Sequence, residues 1–227
     1  MVKLKSFRSE IPNLNIYIEE KDIVIISEKN LECLSSAVIN GGRVKSNSIV
    51  NHHVSLKFNH TNLEDVLNPV KKRFNLSKVI IGLLTAVKMA ATILINEKVD
   101  NIDFTIILTA GLTNTSGPKI DISDVLEESD TSPYEPGTIN IILLINCKLT
   151  EDAIVNLFII ITEAKTLLLN KLNVRTKDGS LATGTSTDTI VVGFTDVGKL
   201  VEWSGYATKF GQSIGQNVFK ALSKTLK

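Results

Sequence analysis

An α/β or α+β fold, a layered sandwich in which a mixed β-sheet is packed by helices, follows from three features of the chain. Strand-type and helix-type runs come in the order strands, helix, strands, helix, strand, helix. The run Thr138 to Ile145 is apolar without alternation, as in a strand buried on both faces. Phe210, Ile214, Val218 and Leu222 recur every fourth residue, the single stripe of an amphipathic helix. The 227 residues suit one domain spanning 1–227.

Each element has its own signal. Ile16 to Glu19 and Asp22 to Ser27 are short Ile- and Val-rich runs that can form a hairpin across Glu20-Lys21. Leu34 to Ile39 predicts a strand that stops at Asn40-Gly41-Gly42, and Val50 to Phe58 alternates loosely around Asn51-His52-His53. Thr61-Asn62-Leu63-Glu64 matches a capping box and opens a helix to about Phe74, which Pro69 should kink or offset. Val79 to Leu84 predicts a strand ending at Thr85. Val87 to Ile95 suits helix or strand; a strand is favoured because Asp103 to Leu108 follows closely after a turn-like Asp100-Asn101. Ser116 to Pro136, rich in Pro and acids, reads as a long surface loop that could serve as a lid. Thr150 caps a long helix with Glu151 and Asp152 in its first turn. That helix is apolar on every side near Phe158, which predicts a place in the middle of the fold. Thr189 to Phe194 is the last strand.

Composition narrows the function classes. A formal net charge of +1 leaves no footprint for nucleic acid or acidic lipid. Lys71-Lys72-Arg73 reads as a solvated helix face. The cysteines, Cys33 and Cys147, sit in apolar runs far apart and read as core residues rather than a disulfide. The N-terminal residues alternate charged and apolar types and lack the apolar stretch of a signal peptide. No apolar run approaches the ~20 residues that span a bilayer. The expected location is the cytoplasm, with no membrane partner.

Five polar clusters interrupt the apolar runs. They are Asn40-Gly41-Gly42, Asn51-His52-His53, Thr109 to Asn114, Gly137 to Asn140, and Thr183 to Asp188. Each alone is ordinary turn chemistry. Together they suit loops that converge on one rim of a sheet. His52 and His53 are adjacent on a strand and point to opposite faces, so they are poor joint ligands for a metal. One of them can serve as a general base or acid. Glu163 interrupts an apolar helix two residues before Lys165; the two point in different directions, and one should look inwards. No Gly-x-Ser-x-Gly, Walker A or Rossmann fingerprint is present. Thr183-Gly184-Thr185 leaves a threonine nucleophile open, and Gly137-Thr138 is the type of pair at which some autocatalytic amidases cut themselves.

In order along the chain, these motifs resemble the adenosylcobinamide amidohydrolase family of archaeal cobamide salvage. The residues that carry the resemblance are Leu34 to Gly42, Asn51-His52-His53-Val54, Thr109-Ala110-Gly111 with Asn114, Pro136 to Ile141, Thr162-Glu163-Ala164-Lys165-Thr166, Ala182 to Thr185 with Thr187-Asp188, and the ending Gly205 with Thr208 to Gly211. Residues 1–32 fall outside it. Thr115 stands where the family often has alanine, and the Ser116 to Pro136 loop is particular to this chain.

The resemblance implies hydrolysis of the amide between aminopropanol and the corrin ring of adenosylcobinamide. The substrate would bring its own cobalt corrinoid, and no further cofactor is expected. Amide hydrolysis needs an activated water or nucleophile, oxyanion donors and an acid for the leaving amine. His53 or His52 is the expected base, with Glu163 or Asp188 orienting it or acting as the acid. Asn51, Asn140 and backbone N–H groups near Gly41-Gly42 or Gly184-Thr185 would hold the oxyanion. Asn40, Thr109, Asn114, Thr138, Thr183 and Thr185 would complete a rim that matches the many amides of a corrinoid. The rival expectations are a corrinoid-binding module without turnover and an amidase with another substrate. The only partner expected is this small molecule; a homo-oligomer is left open.

Overall fold

The structure is a computed structural model that describes residues 5–55, 58, 63–76, 78–118 and 137–226. Its strands are β1 (Lys5–Arg8), β2 (Leu14–Ile18), β3 (Asp22–Ser35), β4 (Gly42–His53), β5 (Ile81–Thr85), β6 (Ile93–Val99), β7 (Ile102–Ala110), β8 (Thr115–Ser116), β9 (Ile139–Ile145), β10 (Lys148–Leu149), β11 (Gly184–Thr185), β12 (Thr189–Phe194) and β13 (Leu200–Val201). Its helices are α1 (Leu63–Val66), α2 (Asn68–Phe74), α3 (Glu151–Lys171) and α4 (Lys209–Thr225).

A 9-stranded mixed sheet runs β1-β2-β3-β12-β9-β7-β6, with β4 beside β3 and β5 beside β4. The long β3 makes this possible. Its first half pairs with β2, its second half with β12, and its register against β4 shifts between Ile26 and Leu31. Such an irregularity bends a strand and lets a sheet curl. The two leaves then face each other: Ile23, Ile25, Ile49 and Leu83 pack with Ile107, Ile142, Leu144 and Val191 in one buried cluster. On one outer face Phe104, Leu143 and Val192 bury against Leu157, Ile161, Ile214 and Val218 of α3 and α4. On the other, Val24 and Val50 bury against Leu67 and Val70 at α1 and α2. The layers are therefore helix, sheet, sheet, helix, which is the sandwich expected of the sequence.

Parallel neighbours need a crossover. β4 reaches its parallel partner β5 through α1 and α2, and β9 reaches β12 through α3. Every residue of β9 is buried, as its unbroken apolar run requires. Thr150 caps α3, its hydroxyl accepting from the Ala153 N–H. The α4 stripe, Phe210, Ile214, Val218 and Leu222, is buried, each side chain contributing about 2 kcal/mol at most. Asp100 and Asn101 both take positive φ, 50° and 64°, the two-residue turn that suits a right-twisted hairpin between β6 and β7.

Several expectations are corrected. The strand expected at Leu34 to Ile39 stops at Ser35; Ile39 makes only an isolated bridge to Gly82. β4 begins at Gly42 and ends at His53, so the ladder lies earlier than Val50 to Phe58; its polar first half hides the strand from a hydrophobic reading. The single helix towards Phe74 is two short ones, with Pro69 in the first turn of α2 where its missing N–H costs nothing; Thr61 and Asn62 lie outside the described residues. The run from Val87 starts as a 3-10 turn, Met89–Ala91, before β6. α3 is not central: Val155, Ile159 and Leu167 are 53%, 50% and 63% exposed on its outer face. Most of the expected lid, residues 119–136, lies outside the described residues. The cysteines are free and buried, as expected. Among the described residues no helix is long and apolar enough to cross a membrane.

Candidate functional site

The C-terminal ends of β4, β5 and β7 meet the N-terminal ends of β9 and β12 at one rim. Parity along each strand decides what points where. Asn51, Thr109 and Asn140 all turn into the space between the two leaves. The Asn140 amide donates to Asn51 Oδ1 at 2.9 Å and to the Leu84 carbonyl at 3.1 Å; the Asn51 amide donates to Thr109 Oγ1 at 3.0 Å. These three polar side chains are fully buried, and mutual hydrogen bonds offset their desolvation. One atom is left over: Asn140 Oδ1 is buried with no hydrogen-bond partner among the described residues.

Hydroxyl groups continue the rim beyond Asn140. Thr138 Oγ1 and Thr187 Oγ1 share a hydrogen bond of 2.6 Å. The Asn114 amide donates to Ser186 Oγ at 3.0 Å and to Thr187 Oγ1 at 3.2 Å, and its Oδ1 is likewise buried and without a partner among the described residues. β8 and β11 pair Thr115 with Thr185 and Ser116 with Gly184, which fastens the Asn114 loop to the Thr183 to Asp188 segment.

Asp188 is the hub on the α3 side. Its Oδ1 accepts from the Ile139 N–H at 3.1 Å and from the Thr185 hydroxyl; its Oδ2 accepts from the Lys165 ammonium. The side chains of Lys165 and Asp188 are only 10% and 13% exposed. Thr166 donates to the Thr183 carbonyl at 3.2 Å, so neighbouring residues of α3 hold both ends of the segment. A Cβ at Gly184 would displace the ends of the Asp188 and Lys165 side chains, so the glycine leaves room for their ion pair.

The histidines part company, as adjacent strand residues must. His53 bonds through Nδ1 to the Val87 carbonyl at 3.1 Å and lines a cleft of about 570 Å³ with Glu19, Lys21, Lys88 and Met89. A carbonyl only accepts, so Nδ1 carries a hydrogen, and in the neutral tautomer that this bond selects Nε2 is the acceptor. Val87 packs on Gly111, whose N–H donates to the Thr138 carbonyl at 3.2 Å; this chain of contacts joins His53 to the rim. His52 instead faces α2. Its Nδ1 lies 2.6 Å from Asp22 Oδ1, Arg73 reaches Asp22 Oδ2 at 2.6 Å, and Arg73 also pairs with Glu19 at 2.6 Å.

Two other expected groups sit elsewhere. Glu163 is exposed in an outer groove with Leu167, Tyr206 and Lys220. Partial burial, and secondarily the Glu163 charge, raise the Tyr206 phenol above its usual range. The Asn40-Gly41-Gly42 segment is a turn: Asn40 has φ 52°, its amide donates to the Ile80 carbonyl at 2.8 Å, and Gly42 has φ 81°. It ties the β3–β4 connection to the start of β5 rather than adding side chains to the rim. Among the described residues no three His, Cys, Asp or Glu side chains gather as a metal site needs.

Lys165 and Thr187 belong to the rim although the sequence reading did not select them. A signal for Lys165 exists: it shares the buried stripe Leu157, Ile161, Lys165, Leu169, spaced by four residues. On that phase Glu163 falls on the outer face.

The adenosylcobinamide amidohydrolase family matches residues 8–227. An uncharacterised protein of Methanocaldococcus jannaschii is 33% identical over 227 residues, 92% of this chain and 87% of that one. The adenosylcobinamide amidohydrolase of Methanosarcina mazei is 29% identical over 215 residues, 91% of this chain and 95% of that one. A Pyrococcus horikoshii protein of known crystal structure superposes with a TM-score of 0.43 at 8% identity, covering 100% of this chain and 82% of that one.

Proposed function

The chain belongs to the adenosylcobinamide amidohydrolase family, and from that membership we propose that it hydrolyses the amide between aminopropanol and the corrin ring of adenosylcobinamide, yielding adenosylcobyric acid and 1-amino-2-propanol. The observation that carries the reading is the meeting of the family-type motifs at one rim: Asn51, Thr109 and Asn140, then Asn114, Thr138 and Thr187, then Thr185 and Asp188 form three hydrogen-bonded groups from distant parts of the chain, joined through the Thr138-Ile139-Asn140 and Thr187-Asp188 backbone.

His53 is the base. Its Nε2 takes a proton from water and later returns it to the leaving amine. His52 is held by Asp22 on the opposite face and stabilises the fold there. Asn140 does not hold the oxyanion, because both hydrogens of its amide are already spent. The unpartnered oxygens of Asn114 and Asn140 accept instead, from water or from the N–H groups of the substrate's amides. Asp188, with three donors on its two oxygens, positions the segment rather than transferring a proton. The reaction needs no resident metal; the cobalt arrives with the substrate.

Mass spectrometry of the protein incubated with adenosylcobinamide tests this. Release of aminopropanol, with and without chelator, is expected. Unchanged corrinoid retained on the protein would replace the reading with a binding module, and release from other amides alone would replace the substrate.

A further inference from the structure

We propose that Lys165 is a catalytic residue, its ammonium being the donor that receives the oxyanion of the tetrahedral intermediate; this rests on the amide-hydrolysis reading above. Three observations and one general consideration carry it. Lys165 stands on the buried stripe of α3 among Ile161, Ala164, Leu168 and Leu169, where helix packing alone calls for an apolar side chain. A buried ion pair that only fastens two elements is a poor choice for stability, since apolar replacements are often neutral or better. The ammonium carries three hydrogens, and Asp188 is its one hydrogen-bond partner among the described residues. Gly184 lies beside the ammonium and carries no side chain to cover it.

The rest of the rim offers few free donors and no second cation in contact with Asp188 among the described residues. Oxyanion stabilisation needs donors aimed at the place where charge develops, in a site shielded from water. Most side-chain amide hydrogens at the rim are committed: both of Asn140, both of Asn114 to Ser186 and Thr187, and one of the two of Asn51 to Thr109. The Thr185 hydroxyl is committed to Asp188. The rim thus holds two open acceptors, Asn114 Oδ1 and Asn140 Oδ1, and in Lys165 a charged side chain with donors to spare. Asp188 positions that ammonium through one oxygen.

The step balances without any added reagent. Water oxygen attacks the amide carbon, and the carbonyl π pair moves onto oxygen against the Lys165 ammonium. The water proton passes to His53 Nε2. The oxygen pair then re-forms the carbonyl, the C–N bond breaks with its electrons on nitrogen, and His53 returns the proton to that nitrogen. One water is consumed, and one acid and one amine are released.

The test is steady-state hydrolysis of adenosylcobinamide by the full chain carrying Lys165→Ala, with thermal unfolding followed in parallel. A loss of about 10²–10³-fold in kcat is expected, as for removal of an oxyanion donor, with KM changed by less than about threefold. Added ethylamine hydrochloride should restore part of kcat in a saturable way and leave the wild type unaffected. If Lys165→Ala does not fold, Lys165→Cys treated with 2-bromoethylamine rebuilds an ammonium at the same place; Cys33 and Cys147, buried with thiols pushed up to about 12, stay out of that reaction. Recovery of kcat on alkylation supports the proposal. Wild-type kcat in Lys165→Ala, or a loss that neither ethylamine nor alkylation recovers, overturns it. A wild-type protein that releases no aminopropanol overturns the parent reading, and this inference with it; wild-type turnover beside an undiminished variant overturns this inference alone.

Discussion

Asp22 and Asp188 are both carboxylates withdrawn from water and matched with cations, yet they serve different ends. Asp22 lies between the β3–β4 ladder and α2, and its partners are the side chains of His52 and Arg73. Arg73 is 44% exposed and continues to Glu19, so the group is open to solvent at one end. Asp188 accepts from one cation, one hydroxyl and one backbone N–H, brought from α3, β11 and β9. The first group pins a helix to a sheet. The second holds a loop segment against the start of β9, where Asn140, like Asn114 in the neighbouring loop, has an acceptor without a partner among the described residues. The difference teaches that burial of a charge does not mark a site; the company it keeps does.

The largest difference is expected between the two histidines, His52 in the Asp22 group and His53 on the opposite face of β4. His53→Ala should lower kcat by about 10²–10⁴-fold, the usual worth of a general base, while His52→Ala stays within about threefold of wild type. Equal losses in steady-state assays would erase the distinction. Next comes stability. Asp188→Ala leaves the Lys165 ammonium buried without its partner and should cost about 3–5 kcal/mol in denaturant unfolding. Asp22→Ala, whose cation is half in water, should cost about 1–3 kcal/mol and leave kcat unchanged. A reversed order would mean that the α2 group is the tighter one.

The smallest effect expected belongs to the two buried clusters that hold Cys33 and Cys147. Burial, with the Glu32 charge as a lesser cause at Cys33, pushes both thiols from 9.0 to about 12. A raised pKa in the folded state means stability that is complete below about pH 9 and is lost as pH climbs from there towards 12, because the unfolded chain ionises first. Denaturation midpoints should therefore fall above pH 9, and less so in Cys33→Ala or Cys147→Ala. Iodoacetamide at pH 8 should label both cysteines only after denaturant is added, as read by intact mass.

How much was legible in the residues varies with the range of the interactions. β9, the cap at Thr150 and the stripe of α4 rest on neighbours within a few residues, and they stand where the pattern puts them. The first half of β4 was hidden because its ladder is formed by polar residues paired across β3. The candidate site was half legible. That Asn51, Thr109, Asn114, Thr138, Asn140, Thr185 and Asp188 belonged together could be read as a set of interrupted apolar runs. That Asn40 to Gly42 would be a turn serving β5, and that His52 would face α2, could not.

α3 shows why. From Ala153 to Leu169 it is apolar on so many sides that periodicity does not say which side goes in, and so does not choose between Glu163 and Lys165. By itself the chain determined its periods, caps and turns, and which residues could do amide chemistry, because these depend on local geometry and side-chain type. Only the tertiary structure decided which of those residues share a space. The curl of the sheet at β3 and the packing of α3 on the β9 leaf bring together groups about 20 to 90 positions apart, and no local rule encodes such an approach.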